Sequence, residues 1–85
     1  MELEFTEQAQ KDLKYWKKIN NLAVQKRIST LLEAIKEEPY TGIGNPEALK
    51  HQLTGLWSRR INREHRLVYE VLEDKIVIYA LRFHY

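Results

Sequence analysis

"HRLVYEVLEDKIVIYALRF", residues 65–83, decides the fold of this 85-residue chain. Two apolar runs, rich in β-branched and aromatic residues, flank the polar pair Glu73-Asp74, which predicts a β-hairpin. A third run of the same kind, "LWSRRI" at 56–61, comes just before it, and the polar residues "NRE" separate the two. The last third of the chain is therefore expected to form three consecutive antiparallel strands.

The loops of this meander determine which side chains share a face, because facing residues of an antiparallel pair point to the same side. Two-residue loops would mix apolar and charged side chains on both faces. If each loop is effectively odd, through a three-residue turn or a bulge, one face becomes apolar. That core face would hold Trp57, Ile61, Leu67, Tyr69, Val71, Val77, Tyr79, Leu81 and Phe83. The open face would hold Ser58, Arg60, Arg66, Val68, Glu70, Ile78, Ala80, Arg82 and His84.

The first half of the chain predicts a short strand and two helices. "ELEF" at 2–5 alternates polar and apolar residues, as a half-buried strand does, and Thr6 suits a helix N-cap. The Asn20-Asn21 pair separates two helical segments, and Pro39 ends the second. Their apolar stripes are Ala9, Leu13 and Trp16 in the first, and Val24, Ile28, Leu31, Leu32 and Ile35 in the second.

The order β-α-α-β-β-β predicts an α+β fold, with a two-helix hairpin packed on one face of a mostly antiparallel sheet. Residues 39–48 are expected to form a loop, and a further short strand is expected around His51–Leu53. The length predicts a single domain, 1–85. The chain has no cysteine, no signal-peptide pattern and no apolar run long enough for a membrane span, so we expect a cytoplasmic protein without membrane partners.

The net charge of +2 is unevenly distributed. Residues 1–46 are balanced, whereas residues 50–66 hold Lys50, Arg59, Arg60, Arg63 and Arg66 against Glu64 alone. A local basic excess suits a polyanion such as nucleic acid, although a solvated charged surface would have the same composition.

Several residue types in this region suit phosphodiester chemistry. The guanidinium groups of Arg60, Arg66 and Arg82 present a planar fork of donors that matches phosphate. An imidazole such as that of His84 can give or take a proton near neutral pH. With a carboxylate such as Glu47 nearby, these groups could drive metal-free RNA cleavage by general acid–base catalysis. No spacing of His, Asp and Glu predicts a metal site, and no cofactor is expected.

The stretch "GIGNPEALKHQLTGLWSRRINREHRLVY" at 42–69, together with the terminal "RFHY", closely resembles the Txe/YoeB family of toxin–antitoxin toxins, within the RelE/ParE superfamily. The pieces G-x-G-x-P-E-x-L-K, W-S-R-R-I, E-H-R-L-V-Y and the final H-Y carry the resemblance, whereas the helices match only in pattern. It covers the whole chain in length and element order. It implies a RelE-like fold and a ribosome-dependent mRNA endonuclease that inhibits translation and is neutralised by a cognate antitoxin.

The resemblance also implies roles for single residues. Glu47 would be the general base, His84 the general acid and Arg66 the clamp on the transition state. Lys50, Arg60 and Tyr85 would contact the RNA, and the strand parity adds Arg82 to this set. The partners implied are the antitoxin, the ribosome and mRNA, and a second copy of the chain is a further candidate. It stays open whether Glu47 removes the 2′-OH proton or orients that hydroxyl.

Two other functions remain open from the sequence. A toxin of the ParE kind would act on DNA gyrase without any nuclease activity, and it would need no Glu/Arg/His set. A non-catalytic RNA-binding module would use the basic region alone.

Overall fold

The computed structural model describes residues 1–83. It contains β1 (Glu2–Phe5), α1 (Glu7–Lys18), α2 (Leu22–Glu37), β2 (Glu47–Ala48), a 3-10 turn (His51–Leu53), β3 (Trp57–Arg60), β4 (Arg66–Val71) and β5 (Lys75–Ala80). The five strands form one sheet in the order β1-β5-β4-β3-β2. β1 runs parallel to β5, and the other neighbours are antiparallel. The predicted α+β fold is confirmed.

The helix ends follow the predicted signals. The Thr6 side chain accepts a hydrogen bond from the Ala9 N–H at 3.1 Å, which caps α1. Asn20 has a φ of 55°, which breaks the first helix, and the Asn21 side chain accepts from the Val24 N–H at 3.0 Å to start the second. No helix among residues 1–83 has the length and apolar character needed to cross a membrane.

Both helices cover the same face of the sheet. Their apolar stripes pack with residues of β4, β5 and the flanking turns to form one core. The fully or nearly buried members are Ala9, Trp16, Val24, Ile28, Leu31, Ile35, Ile61, Leu67, Tyr69, Ile76, Ile78 and Leu81. Neither α1 nor α2 lies on the other face of the sheet, and we call it the open face.

The register between β3 and β4 is the predicted one. Arg60 faces Arg66, and Trp57 faces Tyr69, because the five residues between the paired strands form an odd loop. Tyr69 belongs to the core, so the two arginines alternate onto the open face. Burial of the apolar face thus selects the register that brings the arginines together.

The register between β4 and β5 differs from the prediction for three residues. Val71 faces Ile76 across a four-residue loop, so Ile76 and Ile78 point into the core, and Val77 and Tyr79 point away from it. A bulge between Val68 and Tyr69 then restores the predicted parity, because Val68 faces Ala80. The odd register was expected to arise at the turn, through a three-residue loop or a bulge, and the bulge lies inside the hairpin instead.

Two further expectations were wrong near the ends of strands. Residues His51–Leu53 form the 3-10 turn, and the additional strand is Glu47–Ala48. β5 ends at Ala80, so alternation stops there and does not carry Arg82 onto the open face or Phe83 into the core. Phe83 is exposed and has a φ of 65°.

Candidate active site

A carboxylate and a guanidinium meet on the open face. Nη1 of Arg66 lies 3.3 Å from Oε1 of Glu47 and donates to Oγ of Ser58 at 3.0 Å. Glu47 comes from β2 at the edge of the sheet, Ser58 from β3 and Arg66 from β4. Because the Glu47 side chain is 57% exposed, the ion pair adds little stability, about 0–1 kcal/mol. The carboxylate is therefore open to a ligand, whereas the Arg66 side chain is only 20% exposed.

Short side chains form the floor of this site. Glu47 faces Ser58 across β2 and β3, Ser58 faces Val68, and Val68 faces Ala80. Ser58, Val68 and Ala80 are buried, although neither α1 nor α2 covers their face. Beside the longer side chains of Glu47 and Arg66, the open face is therefore formed by the short side chains of Ser58, Val68 and Ala80.

A basic pocket adjoins the ion pair. It has a volume of about 300 Å³ and is lined by Arg60, Asn62, Arg63 and Arg66. A concave surface lined by three arginines suits a phosphate group. Sequence reasoning did not assign Asn62 or Arg63 to the site, although the basic excess at 50–66 included Arg63. The turn that carries both residues could not be placed beside Arg66 before the loop geometry was known.

A buried arginine organises the loop that leads to Glu47. Arg59 has no exposed surface, and Nη2 donates to the carbonyls of Glu38 and Thr41 at 2.6 and 2.9 Å. Nη1 donates to the Ile43 carbonyl at 3.0 Å. Nε donates to the Tyr69 hydroxyl at 3.2 Å. Sequence reasoning counted Arg59 in a basic surface, but its side chain is part of the structure of the loop.

Tyr69 completes this arrangement. Its hydroxyl accepts from Arg59 and donates to the Pro39 carbonyl at 2.6 Å. Burial raises the pKa of Tyr69 above its ordinary value, against the opposing effect of Arg59, so the phenol keeps the proton that it donates. The carbonyl of Gly44 accepts from the Arg60 N–H at 2.7 Å at the far end of the loop. Glu47 therefore follows a loop that is fixed to β3 at several points.

Helix α1 fixes the chain just past β5. Oδ2 of the buried Asp12 accepts from the Leu81 N–H at 2.9 Å, and Nε1 of Trp16 donates to the Leu81 carbonyl at 2.8 Å. These two side chains satisfy the backbone groups that a neighbouring strand would otherwise pair. The carbonyl of Phe83 accepts from the Arg66 N–H at 2.6 Å. The last described residue thus lies beside the arginine of the site.

The structure brings some of the predicted site residues together and leaves others apart. Glu47, Arg60 and Arg66 share the open face. Lys50 is exposed at the start of the 3-10 turn, three residues beyond Glu47. His84 and Tyr85 lie outside the described residues, so their predicted roles remain predictions. Residues 1–83 contain no cluster of three or more His, Cys, Asp or Glu side chains that could hold a metal ion.

Arg82 is not where the sequence placed it. Its guanidinium carbon lies 3.5 Å from the centre of the Tyr15 ring of α1 and 4.5 Å from that of Phe83. The chain bends where α1 holds Leu81, and this turns Arg82 toward the helix. Cation–π contacts therefore occupy a side chain that was expected beside Arg66.

Comparisons with known proteins identify the family of this chain. The family model described as "YoeB-like toxin of bacterial type II toxin-antitoxin system" matches residues 5–85. This chain belongs to that family. The toxin YoeB of Synechocystis is 47% identical over 85 residues, covering 100% of this chain and 98% of its own. The toxin YoeB of Escherichia coli K12 is 45% identical over 85 residues, and the match covers 100% of both chains.

Solved structures of family members have the same fold. A YoeB/ParE toxin from Agrobacterium tumefaciens matches over the whole of both chains, with a TM-score of 0.95 at 36% identity. A YoeB dimer from Staphylococcus aureus matches 100% of this chain and 98% of its own, with a TM-score of 0.91 at 44% identity. A YoeB–YefM complex from the same organism gives a TM-score of 0.89 at 45% identity, with the same coverage. The protein is thus the toxin of a type II toxin–antitoxin system.

Proposed function

We propose that this toxin is a ribosome-dependent mRNA endonuclease that inhibits translation. The observation that carries the proposal is the contact between Arg66 and Glu47 beside a pocket lined by arginines. A carboxylate among cations weakens the binding of a polyanion, because it repels phosphate. The same carboxylate is well suited to act on a hydroxyl next to a bound phosphate.

The proposed reaction is a transesterification within the RNA. Glu47 takes or orients the proton of a ribose 2′-OH, and that oxygen forms a bond to the adjacent phosphorus. The bond from phosphorus to the 5′-oxygen breaks, and His84 gives its proton to the departing oxygen. The products are a 2′,3′-cyclic phosphate and a 5′-hydroxyl. Arg66 stabilises the negative charge that builds up on the phosphoryl oxygens, with no metal ion required.

The remaining site residues would hold the RNA. Arg60 and Arg63 line the pocket and would contact backbone phosphates, as would the exposed Lys50. Tyr85 would stack on a base or position the substrate. Arg82 was predicted to contact RNA as well, and its stacking on Tyr15 argues for a smaller contribution to RNA binding.

An antitoxin is the expected protein partner, because the Staphylococcus aureus relative assembles with YefM. The basic open face favours a partner segment that is acidic and disordered when alone. Covering Arg60 and Arg66 would block the pocket and the ion pair together. A second copy of this chain is another candidate partner, as another structure of the same relative is a dimer.

Primer extension on a defined mRNA tests the proposal. The mRNA is incubated with the toxin in a purified translation system, with ribosomes and without them, and the ends of the fragments are analysed chemically. We expect position-specific cuts only when ribosomes translate the mRNA, with 5′-hydroxyl and 2′,3′-cyclic phosphate ends. Fragments with 5′-phosphate ends would contradict the mechanism, because they require water as the nucleophile.

The same toxin, assayed in this translation system and separately with DNA gyrase, distinguishes the two other functions. A toxin of the ParE kind would leave the mRNA intact and change DNA supercoiling by gyrase. A non-catalytic module would inhibit translation without any cut. Either result would overturn the proposed function.

A further inference from the structure

Phe83, the residue before the proposed general acid, has an unusual backbone. Its φ of 65° lies in the left-handed region, which is disfavoured for a residue with a β-carbon. Both of its backbone polar groups are bonded to His65 and Arg66, the last residue before β4 and the first residue in it. The Phe83 N–H donates to Nδ1 of His65 at 2.7 Å, and its carbonyl accepts from the Arg66 N–H at 2.6 Å. These two hydrogen bonds hold the unusual conformation in place.

His65 is itself held by aromatic contacts. Its ring meets the ring of Trp16 edge to face, with 4.9 Å between the centres, and lies 5.8 Å from the ring of Phe83. Trp16 is buried and bonded to the Leu81 carbonyl. Because Nδ1 accepts a hydrogen bond, it is the ring nitrogen without a proton. The imidazole is thus a fixed acceptor that connects Trp16 of the core to Phe83.

We propose that His65 is a positioning residue for the C-terminal catalytic group. By accepting from the Phe83 N–H, it fixes the backbone of Phe83, which is also bonded to Arg66 and which precedes His84 in the sequence. This inference rests on the proposed function, since it needs His84 to act as the acid. A general acid must lie within hydrogen-bond reach of the leaving oxygen, and a displacement of about 1 Å can cost roughly 100-fold in rate.

The alternative is that His65 only fills space beside Trp16. Two substitutions distinguish the packing of the His65 ring from its acceptance of the Phe83 hydrogen bond. His65→Phe keeps an aromatic ring of similar size but removes the acceptor. His65→Asn loses the ring but keeps an oxygen close to the position of Nδ1.

The test combines two measurements on the full-length protein. In single-turnover cleavage on programmed ribosomes, we expect His65→Phe to be about 10- to 100-fold slower than wild type, with unchanged ribosome affinity. His65→Asn should recover most of the rate. Amide hydrogen exchange at Phe83, measured by NMR without ribosomes, should be fast in His65→Phe and slow in wild type and His65→Asn.

The outcomes distinguish this role from the proposed function. Wild-type toxin that cuts no mRNA overturns the proposed function, and the role of His65 in catalysis with it. Wild-type toxin that cuts while His65→Phe cuts equally fast overturns the positioning role alone. His65→Asn that is as slow as His65→Phe also overturns it. If His65→Phe unfolds, His65→Leu, a side chain close in size to histidine, replaces it in the same comparison.

Discussion

Arg59 carries a full positive charge at a place with no exposed surface. Among the described residues, no carboxylate is bonded to it, and its partners are the carbonyls of Glu38, Thr41 and Ile43 and the hydroxyl of Tyr69. Taking a guanidinium out of water is costly, and several hydrogen bonds are needed to offset that cost. The protein uses this residue to close the loop between α2 and β2, because three of its partners are carbonyls at the start and middle of that loop.

We predict that Arg59→Lys lowers the free energy of unfolding by about 3 kcal/mol. A lysine has one nitrogen with three donors and cannot reach carbonyls on opposite sides, so buried acceptors lose their partners. Denaturant unfolding measures the change. Arg63→Lys is the control, because Arg63 is exposed and should stay within about 0.5 kcal/mol of wild type. Equal stability of the two variants would mean that the bonds of Arg59 are not needed.

The loop between α2 and β2 depends on one close approach to the core. A β-carbon on Gly44 would lie 2.9 Å from Cδ2 of Leu31 and 3.1 Å from Cβ of Arg59. Gly44 also has a φ of 84°. Since the loop ends at Glu47, its contact with the helix and with β3 sets where the carboxylate stands.

Gly44→Ala and Gly55→Ala form a matched pair for this element. Gly55 has a φ of 100°, but nothing lies within 4 Å of an added β-carbon. Both variants pay the backbone strain of about 1–2 kcal/mol, and only Gly44→Ala adds overpacking of about 1–3 kcal/mol. We expect the Gly44→Ala protein to unfold at the lower denaturant concentration. The reverse order would contradict the packing of the loop.

Strands and helices differ in how well the sequence predicted them. The helices have local signals, such as the caps Thr6 and Asn21, and these placed their ends. The faces of β3 and β4 followed from burial alone. The face of β5 was wrong from Val77 to Tyr79 because the bulge position depends on pairing with β4, which has no local signal. Arg82 was misplaced because two side chains of α1, distant in sequence, end the strand.

Some residues of the candidate site could likewise be predicted from the sequence, and others could not. Resemblance to a family assigned Glu47 and Arg66, and strand parity independently placed Arg66 beside Arg60 on the open face. Composition counted Arg59 with the basic surface, whereas the predicted register, which put Arg60 on the open face, turns its neighbour Arg59 to the opposite face. The contact of His65 with Phe83 joins residues 18 apart, and only the coordinates show it.

The whole molecule divides into a core half and a basic half. The helices and the core face of the sheet form the first, and the open face with the basic pocket forms the second. Within the basic half, Glu47 is paired to Arg66, whereas Glu64 stands exposed in the turn between β3 and β4. If the protein only bound RNA, removal of either carboxylate would leave binding unchanged or strengthen it.

Single-turnover cleavage of mRNA on programmed ribosomes by Glu47→Ala, beside Glu64→Ala, therefore tests the account most directly. Ribosome affinity is measured for both variants in the same buffer. We predict that Glu47→Ala cleaves roughly 10²- to 10⁴-fold more slowly than wild type while it binds ribosomes at least as tightly. Glu64→Ala, which removes the same charge, should cleave at the wild-type rate. Cleavage by Glu47→Ala at the wild-type rate would contradict the central claim that this carboxylate takes part in the reaction.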